Sequence, residues 1–351
     1  MNTNTPWQDR FPIDAALLPF LMDVNADQVM LVRLSEDDYR NISFLDQRIV
    51  TPQLPRQLVS WDELSKIPIK KSPKPSYIFH IGHVGSTLIS RLLGEHSDIL
   101  ALREPAILRQ FSEMQTAEKG VGTPWAVEVF DRRMDQVQRW LSRSFHPTQN
   151  VMIKASSFVS PLAEVLLKNK GTGLFLYASL ERYLQTILAG EASVQEANAL
   201  ADVRILRLNR FLENQTIEKS QLSLGQKIAL GWLCEMATLT KAYDDSEDCN
   251  IKWMNFDTFL SAPDIQLKNA AEHFDLQMQP QLINDLIQGP IMNRYSKAPE
   301  YDYSPTLREE LLQEAAQNHS ETIRHTMQWV EKMAIHQQII ARAMEQAEAR
   351  P

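Results

Sequence analysis

The chain has 351 residues, of which 44% are hydrophobic and 23% are charged, and its formal net charge is −8. This length accommodates one large α/β domain with extensions, or two domains, around a packed core. The negative charge argues against general nucleic-acid binding, because it would repel a phosphate backbone. No apolar run reaches the roughly 20 residues of a membrane span and no signal peptide is recognisable, so the sequence predicts a cytoplasmic protein.

The cysteines and histidines predict neither a disulfide framework nor a metal site. Cys234 and Cys249 lack metal-ligand spacing, and both are expected to be free thiols, with Cys234 buried inside a helix. His80 and His83 are three residues apart, but no cysteine or carboxylate completes a ligand set. The sequence therefore predicts no bound metal.

Residues 1–72 form a predicted N-terminal extension. Within it, the pattern predicts a helix over residues 13–22, a strand over 29–34 and a short helical turn over 61–67. Residues 68–75 contain three prolines and three lysines, which is typical of a linker. This places an α/β domain at residues 73–305 and a C-terminal helical segment, packed on that domain, at 306–351.

Strand and helix patterns alternate across the predicted α/β domain. Strands are predicted from residue 77 to the loop at Gly82 and at 99–102, 151–154, 173–177 and 251–257, with a turn at 259–263. Helices are predicted at 86–96, 130–145, 161–169, 180–190 and 224–244. The alternation predicts a mostly parallel sheet with helices on both faces, which binds ligands at the carboxyl ends of its strands.

The C-terminal segment begins with a helix-start signal. Ser304, Thr306 and Glu309 suggest a capping box. Few helix breakers follow before Arg350, so the sequence predicts one bent helix or two. No heptad pattern persists for several repeats, which favours packing on the domain over a coiled coil.

A glycine-containing loop is the strongest functional signal in the chain. Gly82 and Gly85 allow tight backbone turns, and Ser86 and Thr87 then open a helix whose N-terminus attracts phosphate or sulfate. The loop does not match the nucleotide triphosphatase motif, because His80 occupies the position of the motif's first glycine and Ser86 that of its lysine. The loop predicts an anionic ligand of another kind.

The run Gly82-His83-Val84-Gly85-Ser86-Thr87-Leu88, followed by Arg103-Glu104-Pro105, resembles the sulfotransferase family. Family members carry a pattern like P-[RK]-S-G-[ST]-T-L before a helix and then a strand that ends in an acidic residue. The resemblance implies the P-loop fold of that family. It also implies that this loop binds the 5′-phosphosulfate of the donor PAPS through Gly82, His83, Gly85, Ser86 and Thr87.

The same resemblance implies the catalytic residues. Glu104 matches the glutamate taken as general base, and Lys154 matches a lysine placed against the transferring group. His83 would help Lys154 to hold the sulfuryl and phosphate oxygens. Ser296 and Lys297 match a segment, L-S-K-W, that closes over the nucleotide.

Further matches bring the resemblance to residues 76–305 in the family's order, but two positions depart from it. Residues 253–263 resemble the element Y-E-D-L-x-x-x-P, with Asp257 near its acidic position. In the 3′-phosphate element, Thr186 stands at the serine but Ala178 replaces an arginine, and Arg182 is the nearest substitute. His83 replaces the loop arginine or lysine, and a histidine is largely neutral near pH 7.

The resemblance implies a PAPS-dependent transferase that acts on a hydroxyl or amine of a small-molecule or peptide acceptor. A nucleotide-dependent kinase or other transferase is an alternative, in which magnesium would use Thr87. A non-catalytic scaffold with a degenerate pocket is another. The identity of the acceptor stays open, and so does the question whether the protein forms a homodimer.

Overall fold

The computed structural model describes residues 6–69, 73–117, 125–293 and 304–349. The strands are β1 (Leu17–Asp23), β2 (Gln28–Arg33), β3 (Arg56–Ser60), β4 (Ser76–His80), β5 (Ile99–Arg103), β6 (Asn150–Lys154), β7 (Thr172–Tyr177) and β8 (Asn250–Asn255). The first helices are α1 (Trp7–Arg10), α2 (Glu36–Asn41), α3 (Trp61–Lys66), α4 (Ser86–Gly94), α5 (Ala106–Thr116), α6 (Val127–Leu141), α7 (Ala163–Leu167), α8 (Leu180–Leu188) and α9 (Glu191–Ala199). They are followed by α10 (Ala201–Leu208), α11 (Leu224–Asp244), α12 (Phe256–Ser261), α13 (Pro263–His273), α14 (Pro280–Gln288), α15 (Pro305–Asn318), α16 (Ser320–His336) and α17 (Gln338–Glu348). Short 3-10 helices cover Gln47–Ile49, Ser157–Leu162 and Lys219–Gln221.

The main sheet confirms the predicted α/β fold class. Its five strands are all parallel and lie in the order β5-β6-β4-β7-β8. The β4-to-β5 crossover runs in one direction along the sheet, whereas the crossovers to β6, β7 and β8 run in the other. Right-handed crossovers then place α4 on one face and α6, α7 and α11 on the opposite face.

This topology creates a crevice beside β4. The chain leaves the carboxyl end of β4 toward one face and leaves the neighbouring β6 and β7 toward the other. Loops that diverge in this way open a cleft at the carboxyl edge, where ligands of such sheets bind. The predicted glycine loop follows β4 and therefore lies at this crevice.

The N-terminal extension contains a second, antiparallel sheet in the order β1-β2-β3. The helix predicted over residues 13–22 is wrong, because Leu17–Asp23 forms edge strand β1. Pro19 explains the difference: proline breaks a helix but is tolerated on an edge strand, and the register shifts between Pro19 and Leu21. The predicted strand over 29–34 and the short helix over 61–67 are confirmed as β2 and α3.

Two buried arginines of the main domain tie the extension to it. Arg103, at the end of β5, donates to the carbonyls of Tyr39, Arg40 and Ile42 at the end of α2. Arg143, after α6, donates to carbonyls before and within β1, including that of Leu17 at 2.6 Å. The extension is therefore packed on β5 and α6.

Several predicted boundaries inside the main domain are wrong. The helix expected at 161–169 starts as the 3-10 helix Ser157–Leu162 and continues as α7. The strand expected at 251–257 stops at Asn255, because the Asn255 side chain accepts from the amides of Asp257 and Thr258 and so caps α12. Most of the turn expected at 259–263 is accordingly helical.

The C-terminal segment forms three helices, α15, α16 and α17, instead of the predicted one or two. Ser304 caps α15 by accepting from the Leu307 amide at 3.0 Å. The expected capping box with Glu309 is wrong, since the Glu309 carboxylate binds Arg182 on α8. These helices pack against α8 and α11.

Both cysteines are free, as predicted, and Cys234 is buried on α11. Burial raises the pKa of its thiol to about 12. Within the described parts of the chain, no helix combines the length and the apolar content that a membrane span needs.

His273 predicts how stability depends on pH. Burial lowers the pKa of its imidazole, while Nε2 donates to the Gly173 carbonyl at 2.8 Å. Below the ordinary histidine pKa of about 6.5 the unfolded chain therefore binds more protons, so the free energy of unfolding falls as the pH drops. One group limits this slope to about 1.4 kcal/mol per pH unit.

The measurement is urea unfolding between pH 5 and 8 of the wild type and of His273→Gln, which stays neutral and can still donate to the carbonyl. We expect a smaller decline below about pH 6.5 in the variant. Identical declines in both proteins would contradict this assignment.

Candidate active site

The loop after β4 has the backbone conformation of an anion cradle. Gly82, His83 and Gly85 have φ angles of +88°, +56° and +61°. Left-handed residues within a turn make consecutive amide N–H groups converge. The predicted phosphate or sulfate cradle thus has a matching backbone.

The loop packs between the residue that follows β8 on one side and the segment that follows β6 on the other. A Cβ on Gly85 would lie 1.9 Å from the Phe256 ring, which follows β8. A Cβ on Gly82 would lie 3.9 Å from the Ser157 hydroxyl, which follows β6. Gly85 is needed for both its φ angle and this close approach, whereas Gly82 is needed for its φ angle alone.

His80 shapes the start of the loop. Its Nδ1 accepts from the Gly82 amide at 3.0 Å, so in the neutral ring the proton lies on Nε2. His80 stands where the triphosphatase motif has a glycine, and it is almost fully buried.

His83, the second histidine of the loop, lies beside Glu196 on α9, with 3.9 Å between Nε2 and Oε2. Among the described residues, no group of three metal-ligating side chains forms.

No side chain caps the N-terminus of α4. Gly85 is the N-cap residue and offers no side-chain cap to the first turn. The Thr87 hydroxyl in that turn is buried and has no hydrogen-bond partner among the described residues. A buried hydroxyl without a partner is costly, and a bound anion would satisfy both this group and the helix N-terminus.

The structure brings Glu104 and Lys154 together. Lys154 ends β6 and Glu104 directly follows the neighbouring β5, and the Lys154 ammonium donates to Glu104 Oε1. Lys154 is fully buried, and 18% of the Glu104 side chain is exposed. A proton acceptor and a cation therefore share one point of the crevice.

Glu104 has a strained backbone, with a φ angle of +56°. This conformation is unfavourable for a residue with a Cβ, by about 1–2 kcal/mol, and persists only where the surroundings impose it. The Glu104 amide donates to the Lys154 carbonyl at 2.7 Å, which fixes the turn. Strain of this kind concentrates at functional sites.

The N-terminal extension also reaches this pair, which the sequence did not indicate. The Phe44 ring lies 5.8 Å from the Lys154 ammonium and 3.5 Å from the Arg48 guanidinium. A hydrogen bond to Asp46 raises the pKa of Arg48, and the negative charge of Glu104 also contributes. The extension therefore forms one wall of the candidate site.

Arg182, the predicted substitute for the missing phosphate-binding arginine, is engaged by two carboxylates. Its guanidinium lies 3.3 Å from Asp257 Oδ1 and 2.6 Å from Glu309 Oε2. Burial lowers the pKa of Arg182, but the hydrogen bonds and charges of these carboxylates outweigh it and raise the pKa overall. Arg308 also binds Asp257, at 2.8 Å, so the cluster is balanced in charge. A phosphate would have to displace Glu309 to reach Arg182.

The remaining predicted site residues are placed less favourably or are not described. The Thr186 hydroxyl donates to the Arg182 carbonyl one turn earlier in α8, at 2.7 Å. Ala178 follows β7 and is buried. Ser296 and Lys297 lie outside the described residues.

A separate cleft of about 900 Å³ lies at the opposite, amino end of the sheet. Seven carboxylates line it: Asp131, Asp135, Glu164, Asp244, Asp245, Glu247 and Asp248. Three cations, Lys74, Arg139 and Lys168, also line it, so its net charge is negative and disfavours an anionic ligand. The candidate site for an anion is therefore the one at the carboxyl edge.

No protein-family model matches the sequence, and a comparison with curated proteins finds no match. Among the solved structures that resemble the fold are three sulfotransferases. The sulfotransferase domain of the curacin biosynthetic pathway is 11% identical over 72% of this chain and 99% of its own, with a TM-score of 0.41. The enzyme from Alicyclobacillus acidocaldarius is 15% identical over 73% and 96%, with a TM-score of 0.34. The enzyme from Mycobacterium avium is 11% identical over 71% and 77%, with a TM-score of 0.36. Identities and TM-scores this low do not carry a function from these enzymes to this chain.

Proposed function

We propose that the protein is a sulfotransferase that moves a sulfuryl group from PAPS to a hydroxyl or amine. The observation that carries the proposal is the Glu104–Lys154 contact beside an uncapped helix N-terminus and its glycine loop. Sulfuryl transfer needs a base for the acceptor, a cation for the transferring group and a tight anion site. Glu104, Lys154 and the glycine loop all lie at one edge of the sheet.

The residues have distinct roles in this proposal. The amides of Gly85, Ser86 and Thr87, with the Thr87 hydroxyl, hold the 5′-phosphate oxygens of the donor. When bound, PAPS supplies an activated sulfuryl group. Glu104 takes the acceptor proton onto a carboxylate oxygen, and Lys154 donates to the oxygens that gain negative charge. The strained turn at Glu104 and the buried stem of Lys154 hold both groups in place.

A kinase-like transferase is the second candidate, and the Thr87 hydroxyl favours it. A magnesium ion bound at such a loop uses a hydroxyl of this kind. Ser86 argues against a kinase-like function, because it occupies the position of the phosphate-binding lysine. The scaffold alternative, the cytoplasmic location and the homodimer stay predictions.

The deciding experiment is isothermal titration of the full chain with PAP, the product of PAPS, and separately with ATP plus magnesium. We expect PAP to bind with micromolar affinity and Thr87→Val to weaken it about tenfold, the value of one lost charge-assisted hydrogen bond. Thr51→Val, at an exposed position, is the matched control. ATP binding without PAP binding would replace the proposal with the kinase reading, and binding of neither would favour the scaffold.

A positive titration would be followed by transfer assays with radiolabelled PAPS and a panel of phenols, alcohols, amines and peptides. Label transfer to any acceptor supports the proposal. Tight PAP binding without transfer to any class of acceptor would contradict the assignment of Glu104 as a base.

A further inference from the structure

Four arginines of the described residues are more than nine-tenths buried: Arg103, Arg143, Arg204 and Arg207. Arg103 and Arg143 donate to several backbone carbonyls. Arg207 donates to both oxygens of Glu235, at 2.8 and 2.9 Å. Arg204 differs, because its Nε and Nη1 are buried without a hydrogen-bond partner among the described residues.

The Arg204 guanidinium and the Tyr183 hydroxyl both lie against the backbone of α11 at Gly231. A Cβ placed on Gly231 would lie 2.4 Å from the Tyr183 hydroxyl oxygen and 3.0 Å from Arg204 Nη1. Glycine at this position thus admits a phenol hydroxyl and a guanidinium side by side. Both groups can donate hydrogen bonds to the same acceptor.

This pair of side chains, Arg204 and Tyr183, lies close to the carboxyl edge of the sheet. Trp232, next to Gly231, donates to the carbonyl of Ala178, the residue that follows β7. Tyr183 is in the first turns of α8, which also starts after β7. On the neighbouring α9, Glu196 faces the loop residue His83. Arg204 and Tyr183 are therefore near the crevice but on the side away from Glu104 and β5.

A buried guanidinium without hydrogen-bond partners is unfavourable, because it has lost its hydration and gained no direct hydrogen bond in exchange. A water molecule could accept one of its hydrogen bonds, but it carries no charge. A carboxylate balances the charge and accepts from several N–H groups at once. It can also accept from the Tyr183 hydroxyl.

We propose that Arg204 and Tyr183 bind a carboxylate of the acceptor, so that the acceptor is a hydroxy- or amino-carboxylate. The role of this anion as part of an acceptor rests on the proposed function. The presence of a carboxylate site at Arg204 does not rest on the proposed function, and this site is tested separately.

The first test compares the thermal stability of Arg204→Met with that of Arg207→Met, a buried arginine of the same helix that is fully paired. Removing a buried charge whose Nε and Nη1 have no hydrogen-bond partner among the described residues raises Tm, whereas removing Arg207 leaves Glu235 without its cation and lowers Tm by several degrees. We therefore expect shifts of opposite sign. A fall in Tm for Arg204→Met comparable to that for Arg207→Met would overturn the proposal.

The second test uses acetate and benzoate, each against its neutral amide, acetamide and benzamide, as ligands of the full chain. We expect at least one carboxylate to raise the Tm of the wild type, its amide to have no effect, and Arg204→Met to abolish the shift. Protection of both proteins alike, protection by the amide, or no protection by either carboxylate would each overturn the proposal.

PAP titration of Arg204→Met separates this site from the donor site. We expect the variant to bind PAP within twofold of the wild type. A tenfold loss would assign Arg204 to the donor and overturn the acceptor site. Failure of the wild type to bind PAP, with benzoate protection intact, would instead refute the proposed function and leave the carboxylate site standing.

Discussion

Glu104→Gln is expected to lower the rate of sulfuryl transfer by about 10²- to 10⁴-fold, the usual contribution of general acid–base catalysis. Glutamine has nearly the same shape as glutamate but cannot accept the acceptor proton. The change also removes the carboxylate that binds the buried Lys154 ammonium. We therefore expect the free energy of unfolding to fall by about 1–3 kcal/mol.

The measurement is label transfer from PAPS together with urea unfolding of each variant. Glu104→Gln/Lys154→Met removes both charges, so it should recover stability without recovering activity. Glu128→Gln, an exposed position on α6, is the surface control and should leave both quantities unchanged. Transfer by Glu104→Gln within twofold of the wild type would refute the role of Glu104 as base.

Gly85→Ala is expected to weaken PAP binding by about two decades and to destabilise the fold by about 2–5 kcal/mol. The φ angle of +61° costs an alanine about 1–2 kcal/mol. The new Cβ would also overlap the Phe256 ring, and relieving such overpacking costs about 1–3 kcal/mol more. Moving the ring shifts the start of α4 and with it the anion cradle.

A double-mutant cycle separates the two causes. Gly85→Ala/Phe256→Leu should regain the steric part of the loss but not the part due to the φ angle, which gives a coupling free energy of about 1 kcal/mol or more. Gly190→Ala is the matched control, because its φ angle is negative and its nearest neighbour is at 3.5 Å. Equal stabilities of Gly85→Ala and Gly190→Ala would contradict the steric account.

The sequence by itself determined the α/β class, the glycine loop and the two strand-end residues Glu104 and Lys154. These features are local: strand patterns come from short apolar runs, and a loop between a strand and a helix is readable from glycine spacing. Because parallel strands share a carboxyl edge, residues at the ends of β5 and β6 could be expected at the same edge of the sheet. Their direct contact was not readable, since it depends on the register between the two strands.

The tertiary structure alone decided the features that depend on residues far apart in the chain. Pro19 lies in a strand because β2 pairs with it, which outweighs the apolar pattern that predicted a helix. Arg182 is held by Glu309, 127 residues later, and Phe44 of the extension reaches Lys154. Arg204 carried no signal in the sequence, because the lack of hydrogen-bond partners for its Nε and Nη1 among the described residues shows only in the folded chain. Burial and pairing are properties of the packed chain, so they are fixed only when its distant segments meet.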